Sequence, residues 1–305
     1  MFRWLALFLC LAAPAAAREV TDDAGHRVAV PGDPQRVVSL HDWSLTVMLH
    51  ELGVPLAGSS YRVAADGTRF MRGASDLFGL GEDEVPLASV HGQIDAERIA
   101  ALNPDLILGN LGDVAAQRDQ LAAIAPVLLF DPETDEAPMD RYRRVAEWLG
   151  RGTLFEAKLG ELEALALPSR GCSWALANAS ARDGTLDLAR HYGAVEVAAG
   201  LAGLAPSPAL EMVPEGRDRA ALSPEVAGAI APDVLFTTFL ASRGETAESA
   251  RQAFDTVAPG YLAFLEGRGS RVIALPRETF YPASLTGAAR LLDSLPDALP
   301  EHCRP

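Results

Sequence analysis

The chain has 305 residues, of which 26 are Lys or Arg and 41 are Asp or Glu, a net charge of −15 at pH 7. With 49% hydrophobic and 22% charged residues it can bury a core, which excludes a disordered or fibrous chain, and its length favours two lobes over one oversized core. So acidic a chain, with no clustered basic stretch, does not suit a nucleic-acid backbone.

In chain order, residues 1–17 (MFRWLALFLCLAAPAAA) join Arg3 to an apolar run from Leu5 to Ala13 and then to Ala15, Ala16 and Ala17. That order predicts a secretory signal peptide cut after Ala17. No later apolar run reaches the roughly 20 residues that a bilayer span needs. Two cysteines remain after cleavage, Cys172 and Cys303, and an oxidising compartment predicts a disulfide between them.

Short apolar runs at 36–40, 55–58, 127–130, 173–177 and 271–275 are separated by amphipathic stretches such as 44–52 and 115–124. The alternation predicts an α/β fold with a mainly parallel sheet in each half. Between the halves, 139–149 and 153–167 carry apolar residues at helical spacing, Gly150 and Gly152 interrupt them, and Pro168 ends them. The expected organisation is therefore an N-terminal lobe over 18–150, a single long connecting helix over 151–168, and a C-terminal lobe over 169–305. A ligand cleft would lie between the lobes, where loops at the carboxyl ends of parallel strands converge.

One unit occurs twice. Residues 94–108 (IDAERIAALNPDLIL) recur in form as residues 222–236 (LSPEVAGAIAPDVLF), offset by 128. Each copy has a capping residue (Asp95, Ser223), a short helix, Pro-Asp, and a buried-strand run. Each also places a glutamate in the first turn, Glu97 and Glu225, where a carboxylate suits the helix dipole.

These features, with the opening segment 21–31 (TDDAGHRVAVP), the stretch 34–40 (PQRVVSL) and the stretch 280–286 (FYPASLT), resemble the periplasmic binding proteins of ABC importers for ferric siderophores, cobalamin and haem. The stretch 280–292 and Asp42-Trp43 look most like the ferric hydroxamate-binding members. His91 falls where those members carry a ligand-holding arginine, and Gly112-Asp113 near their ligand-holding tyrosine. The resemblance implies a periplasmic, monomeric receptor that captures a ferric siderophore and delivers it to a membrane permease. It implies no resident cofactor, and it leaves haem or cobalamin as the alternative ligand. It also implies that Glu97 and Glu225 meet the permease, one per lobe.

A ferric chelate is large, polar and often anionic, with its metal already saturated, so the pocket needs aromatic walls and arginines rather than metal ligands. Candidates on strand-following loops are Trp43, Tyr61, Arg62 and His91 in the first lobe and Arg217, Phe239, Arg243 and Tyr281 in the second. Arg219 is not included. Tyr61, His91 or Tyr281 would be the axial ligand if the cargo were haem. Enzyme signatures are missing: Gly79-Leu80-Gly81 lacks the third glycine of a dinucleotide loop, and there is no Gly-x-Ser-x-Gly elbow or phosphate loop. His50-Glu51 lacks the second histidine of a zinc-protease motif, and the six histidines are scattered.

Overall fold

A computed structural model describes residues 17–64, 66–169 and 171–304. The signal peptide expected over 1–17 lies, but for Ala17, outside the described residues. In the first lobe, an antiparallel ribbon of β1 (Arg18–Thr21) and β2 (Arg27–Val30) precedes β3 (Val37–Leu40), β4 (Leu56–Val63), β5 (Arg69–Phe70), β6 (Leu87–Val90), β7 (Leu106–Asn110) and β8 (Val127–Phe130). These form a sheet of order β5-β4-β3-β7-β8, with β6 also on β4. All its pairings are parallel except β4 with β5. Strands β3 and β8 are buried at every residue, as strands of a sheet covered on both faces must be.

The second lobe holds β9 (Ser173–Ser180), β10 (Thr185–Ala189), β11 (Ala205–Pro206), β12 (Arg219–Leu222), β13 (Val234–Phe239) and β14 (Arg271–Pro276), in the order β12-β10-β9-β13-β14 with β11 on β9. Strands β9, β11, β13 and β14 pair in parallel, but β9-β10 and β10-β12 are antiparallel. The alternation reading had no place for β10 and β12. Strand β10 follows a hairpin turn with Gly184 at φ 66, too short to carry a crossover helix, and β12, reached after helix Gly193–Leu201, adds antiparallel to its outer edge.

Both copies of the duplicated unit form a helix followed by a parallel strand. The first helix, Ala96–Ala101, is α-helical and capped by Asp95. The second, Pro224–Ala229, is a 3₁₀ turn, in which Pro224 supplies no N–H. The connecting helix is shorter than the expected 151–168. Gly150, at φ 66, closes helix Pro138–Trp148, and helix Gly152–Glu163 begins two residues later. Gly150 therefore lies between two helices, and Gly152 is the first residue of the second.

The lobes share a continuous apolar seam. Leu45, Leu49, Tyr142, Phe155 and Leu159 on the first-lobe side pack in one buried cluster with Ala194, Ala283, Leu285 and Ala288 of the second. Buried Glu51, in helix Leu45–Glu51, crosses the seam. Its carboxylate accepts from Ser284 Oγ (2.8 Å), from the backbone N–H groups of Leu285 (3.1 Å) and Thr286 (2.8 Å), and from Tyr142 Oη (3.0 Å). It thus caps helix Leu285–Ala298 from the opposite lobe, satisfying donors that a helix start leaves free. Farther along the junction, Asp135 lies 3.4 Å from His191 Nε2 and accepts from the Gly216 N–H (2.9 Å). The Glu196 carboxylate, 3.0 Å from Nδ1, holds the His191 pKa above its ordinary value.

Cys172 and Cys303 form a disulfide (S–S 2.02 Å, Cα–Cα 5.8 Å) buried among Trp174, Leu204 and Leu299, which fastens the chain's end to β9. Among the described residues, Cys172, His302 and Cys303 are the one His/Cys/carboxylate cluster of metal-binding size, and the disulfide consumes both of its thiols. No described helix is long and apolar enough to cross a membrane.

Candidate ligand cleft

The carboxyl ends of the parallel strands of both sheets meet at the junction of the lobes. After β3 the chain turns through His41, Asp42 and Trp43, and the Asp42 N–H donates to Ser60 Oγ on β4 (3.0 Å). Asp42 is fully buried, and its Oδ2 accepts from Arg62 Nε (3.0 Å) and from the Arg72 N–H (3.2 Å). Its other oxygen is 3.5 Å from His91 Nδ1, which is also 3.7 Å from Asp113. One buried carboxylate thus organises two arginines and a histidine at the ends of three strands. Burial, followed by the nearby Arg62 charge, lowers the His91 pKa, and burial lowers that of His41 to about 4.

From the second lobe, Tyr281 stacks against Trp43, with ring centroids 4.2 Å apart and an interplanar angle of 39°. Tyr281 is held by a close backbone approach. Gly193 sits at φ 42, and a Cβ there would lie 1.9 Å from the Tyr281 carbonyl oxygen. Guanidinium groups surround the ring pair. Arg72, Arg277 and Arg62 lie 4.5, 5.2 and 5.8 Å from the Trp43 centroid, and Arg277 and Arg219 lie 5.1 and 5.9 Å from that of Tyr281. Cations over aromatic faces gain about 0.5 to 2 kcal/mol each, which keeps these side chains aimed inward. Arg219 is further held by Asp218 (2.7 Å) and Tyr281 Oη (3.2 Å). Burial, with Arg62 alongside, lowers the Arg72 pKa to about 10, so Arg72 remains charged at neutral pH.

The Nε atoms of Arg72 and Arg277 and the Nε1 of Trp43 are buried and donate to nothing among the described residues. Buried donors without acceptors are costly, and an incoming acceptor would offset that cost. Beside them a cavity of about 540 Å³ opens between the lobes, lined by Arg62, Phe70, Arg72 and His91 on one side and Ser242 and Arg243 on the other. Glu278 fixes the Ser242–Arg243 turn by accepting from the Ser242 N–H (3.0 Å) and Oγ (2.6 Å).

Of the residues read from sequence, Trp43, Arg62, His91, Arg243 and Tyr281 converge on this cleft. Tyr61 does not. Successive residues of β4 point to opposite faces, so with Arg62 in the cleft Tyr61 is buried in the core, its hydroxyl donating to the Val85 carbonyl (2.5 Å). That bond and its burial also remove Tyr61 as an axial haem ligand. Arg217 is exposed on the turn before β12 and does not line the cavity, while Arg219, two residues on, reaches the ring pair. Phe239 is half-buried at the end of β13, opposite Pro276, and does not line the cavity either. Arg72, Arg277 and the organising Asp42 had no place among the site candidates. Arg277 follows β14 directly, the kind of position that had drawn attention to Tyr281. Glu97 and Glu225 are exposed in the first turns of their helices, with no cation in ion-pair range among the described residues.

Residues 41–162 match the family model described as "Periplasmic binding protein". This segment of 122 residues, in a chain of 305, resembles that family. The likeness points to a solute-binding role outside the cytoplasmic membrane. Solved structures with the same fold include Staphylococcus aureus SirA complexed with staphyloferrin B (TM-score 0.66, 19% identity, 92% of this chain and 98% of that one). The FhuD protein from S. pseudintermedius is similar at TM-score 0.68 and 17% identity over 92% and 96% of the two chains. The periplasmic catecholate-siderophore binding protein VctP from Vibrio cholerae is similar at TM-score 0.62 and 19% identity over 92% and 98%. No curated protein matches the sequence. The matched family and these structures are binding proteins rather than enzymes.

Proposed function

We propose that this periplasmic binding protein captures an anionic ferric siderophore, of the catecholate or carboxylate type, in the interlobe cleft. The observation that carries the reading is the set of arginines around Trp43 and Tyr281, two of them with a buried Nε that meets no acceptor among the described residues. A neutral ferric trihydroxamate offers no charge to match them, whereas each charge-assisted hydrogen bond to an anionic chelate adds about 1.5 to 3 kcal/mol. Trp43, Tyr281, Arg62, Arg72, Arg219, Arg243, Arg277 and His91 form the binding set. Glu97 and Glu225 meet the permease. The signal peptide over 1–17 and a monomeric receptor complete the proposal, and the mass of the exported chain in native mass spectrometry tests both.

Titration of tryptophan fluorescence with a ferric catecholate, ferric citrate and a ferric trihydroxamate tests the ligand class. The anionic chelates should bind more tightly, and their affinity should fall as salt is raised. A trihydroxamate that binds as well as either, with no salt dependence, would refute the anionic assignment.

A further inference from the structure

Four large apolar side chains are exposed among the described residues, Val63, Leu154, Leu165 and Phe264, and Phe264 is the aromatic one, 45% exposed. It borders a groove of about 440 Å³ whose walls include Pro224, Gly228, Val257, Pro259 and Tyr261, with Glu225 on its rim. The walls are firm. Tyr261 is buried and its hydroxyl donates to the Ile230 carbonyl (2.6 Å), joining helix Tyr261–Gly267 to the end of the Pro224–Ala229 turn. Gly228 faces open space, with nothing within 4 Å of where a Cβ would stand.

The equivalent glutamate of the other lobe also borders a groove, of about 460 Å³, but Arg69, Gln93, Asp95, Arg98 and Gln120 line that one. The duplicated unit thus sets one groove beside each docking glutamate, polar in the first lobe and apolar in the second. We infer that the groove beside Glu225 is a second-lobe anchor for the permease, seating an aliphatic side chain of a permease segment whose neighbouring cation pairs with Glu225. This rests on the reading of Glu97 and Glu225 as docking residues. The occupant follows from the surface chemistry: an unpaired carboxylate at the rim asks for a cation, and an exposed phenyl ring above an apolar floor asks for a hydrocarbon. Exposed ion pairs alone contribute little, whereas a buried aromatic contact at the centre of an interface dominates its affinity. The anchor would give the second lobe the stronger grip and make the first-lobe contact mainly orienting.

Two variants act on the groove in opposite ways. Phe264→Glu removes the anchor and charges its place; Gly228→Trp fills the groove from a position where an added Cβ has nothing within 4 Å. Both should keep wild-type thermal unfolding and siderophore affinity, and both should lower uptake by cells that import through this receptor by about tenfold or more. Wild-type uptake in either variant overturns the anchor. The double reversal Glu97→Arg with Glu225→Arg, measured alongside, separates the two levels. If it abolishes uptake while the groove variants do not, docking stands and the anchor fails; if uptake survives it, the docking reading itself fails. A wild-type dimer in sedimentation that Phe264→Glu disperses would assign the groove to a second copy of the chain and likewise refute the proposal.

Discussion

Replacing Glu51 by alanine tests whether one carboxylate holds the two lobes in register. In the native structure it accepts four hydrogen bonds, three from the start of helix Leu285–Ala298 in the opposite lobe and one from Tyr142. Removing it strips that helix start of its acceptor. Ser284 Oγ can still accept from the Gly287 N–H (2.8 Å), so one local cap survives. The Leu285 and Thr286 N–H groups and the Ser284 hydroxyl lose their acceptor in a mostly apolar seam, whereas Tyr142 Oη can still donate to the Met48 carbonyl (3.1 Å). Counting about 1 to 3 kcal/mol for each donor left buried without an acceptor, and allowing for partial entry of water, the expected loss is about 3 to 5 kcal/mol. For a chain of this size that lowers Tm by roughly 6 to 15 °C in a calorimetric or circular dichroism melt. Glu51→Gln, which keeps one acceptor oxygen, should lose about half as much. A loss below about 1 kcal/mol for Glu51→Ala would show that the seam is held by its apolar cluster alone and that the carboxylate is incidental.

Four further outcomes are expected. Reducing the Cys172–Cys303 bond, which closes a sequence separation of 131, should cost about 3 to 5 kcal/mol in denaturant unfolding; two reactive thiols in unfolded, unreduced protein would show that the bond is absent. Trp43→Ala and Tyr281→Ala should each weaken siderophore binding by about 1 to 3 kcal/mol in a fluorescence or calorimetric titration, and unchanged affinity in both would remove the ring pair from the site. The Glu196 carboxylate raises the His191 pKa, so the stability due to this histidine is fully present below its unfolded value near 6.5 and is lost as pH rises through the higher folded value. His191→Gln should therefore flatten the stability profile just above that pH, and an unchanged profile would exclude the histidine as its source. Binding should leave the radius of gyration in solution scattering within about 1 Å, because an apolar seam and an interlobe cap resist hinge motion, and a change of several Å would contradict that account.

Much of this was legible in the sequence because parallel strands announce themselves. The runs that became β3, β8 and β13 are apolar at nearly every position, and the repeated Pro-Asp marked where two of the parallel strands begin. Loops that follow such strands point at a cleft by topology, which is how Trp43, Arg62, His91 and Tyr281 could be placed. Tyr61 was misplaced because strand β4 runs to Val63 rather than ending near Gly58, and those five further residues put Tyr61 inside the strand, on the face opposite Arg62. Arg72, Arg219 and Asp42 were not selected for related reasons. Arg72 follows a two-residue strand, Arg219 belongs to an antiparallel edge strand without apolar periodicity, and Asp42 acts through the side chains it positions.

The close approach of Gly193 to the Tyr281 carbonyl bears on how such a receptor could be retargeted. Any side chain larger than hydrogen at position 193 would push the Tyr281 loop away, so the frame carrying the aromatic wall is fixed at a point that does not line the interlobe cavity. A library aimed at a new chelate would hold Gly193 and Asp42 invariant and vary the guanidinium-bearing positions 62, 72, 219, 243 and 277. The frame would then stay constant while the pattern of charge and reach inside it changed. Retargeted members would report capture through the fluorescence of Trp43, since a frame that does not move offers little signal to dyes placed one on each lobe.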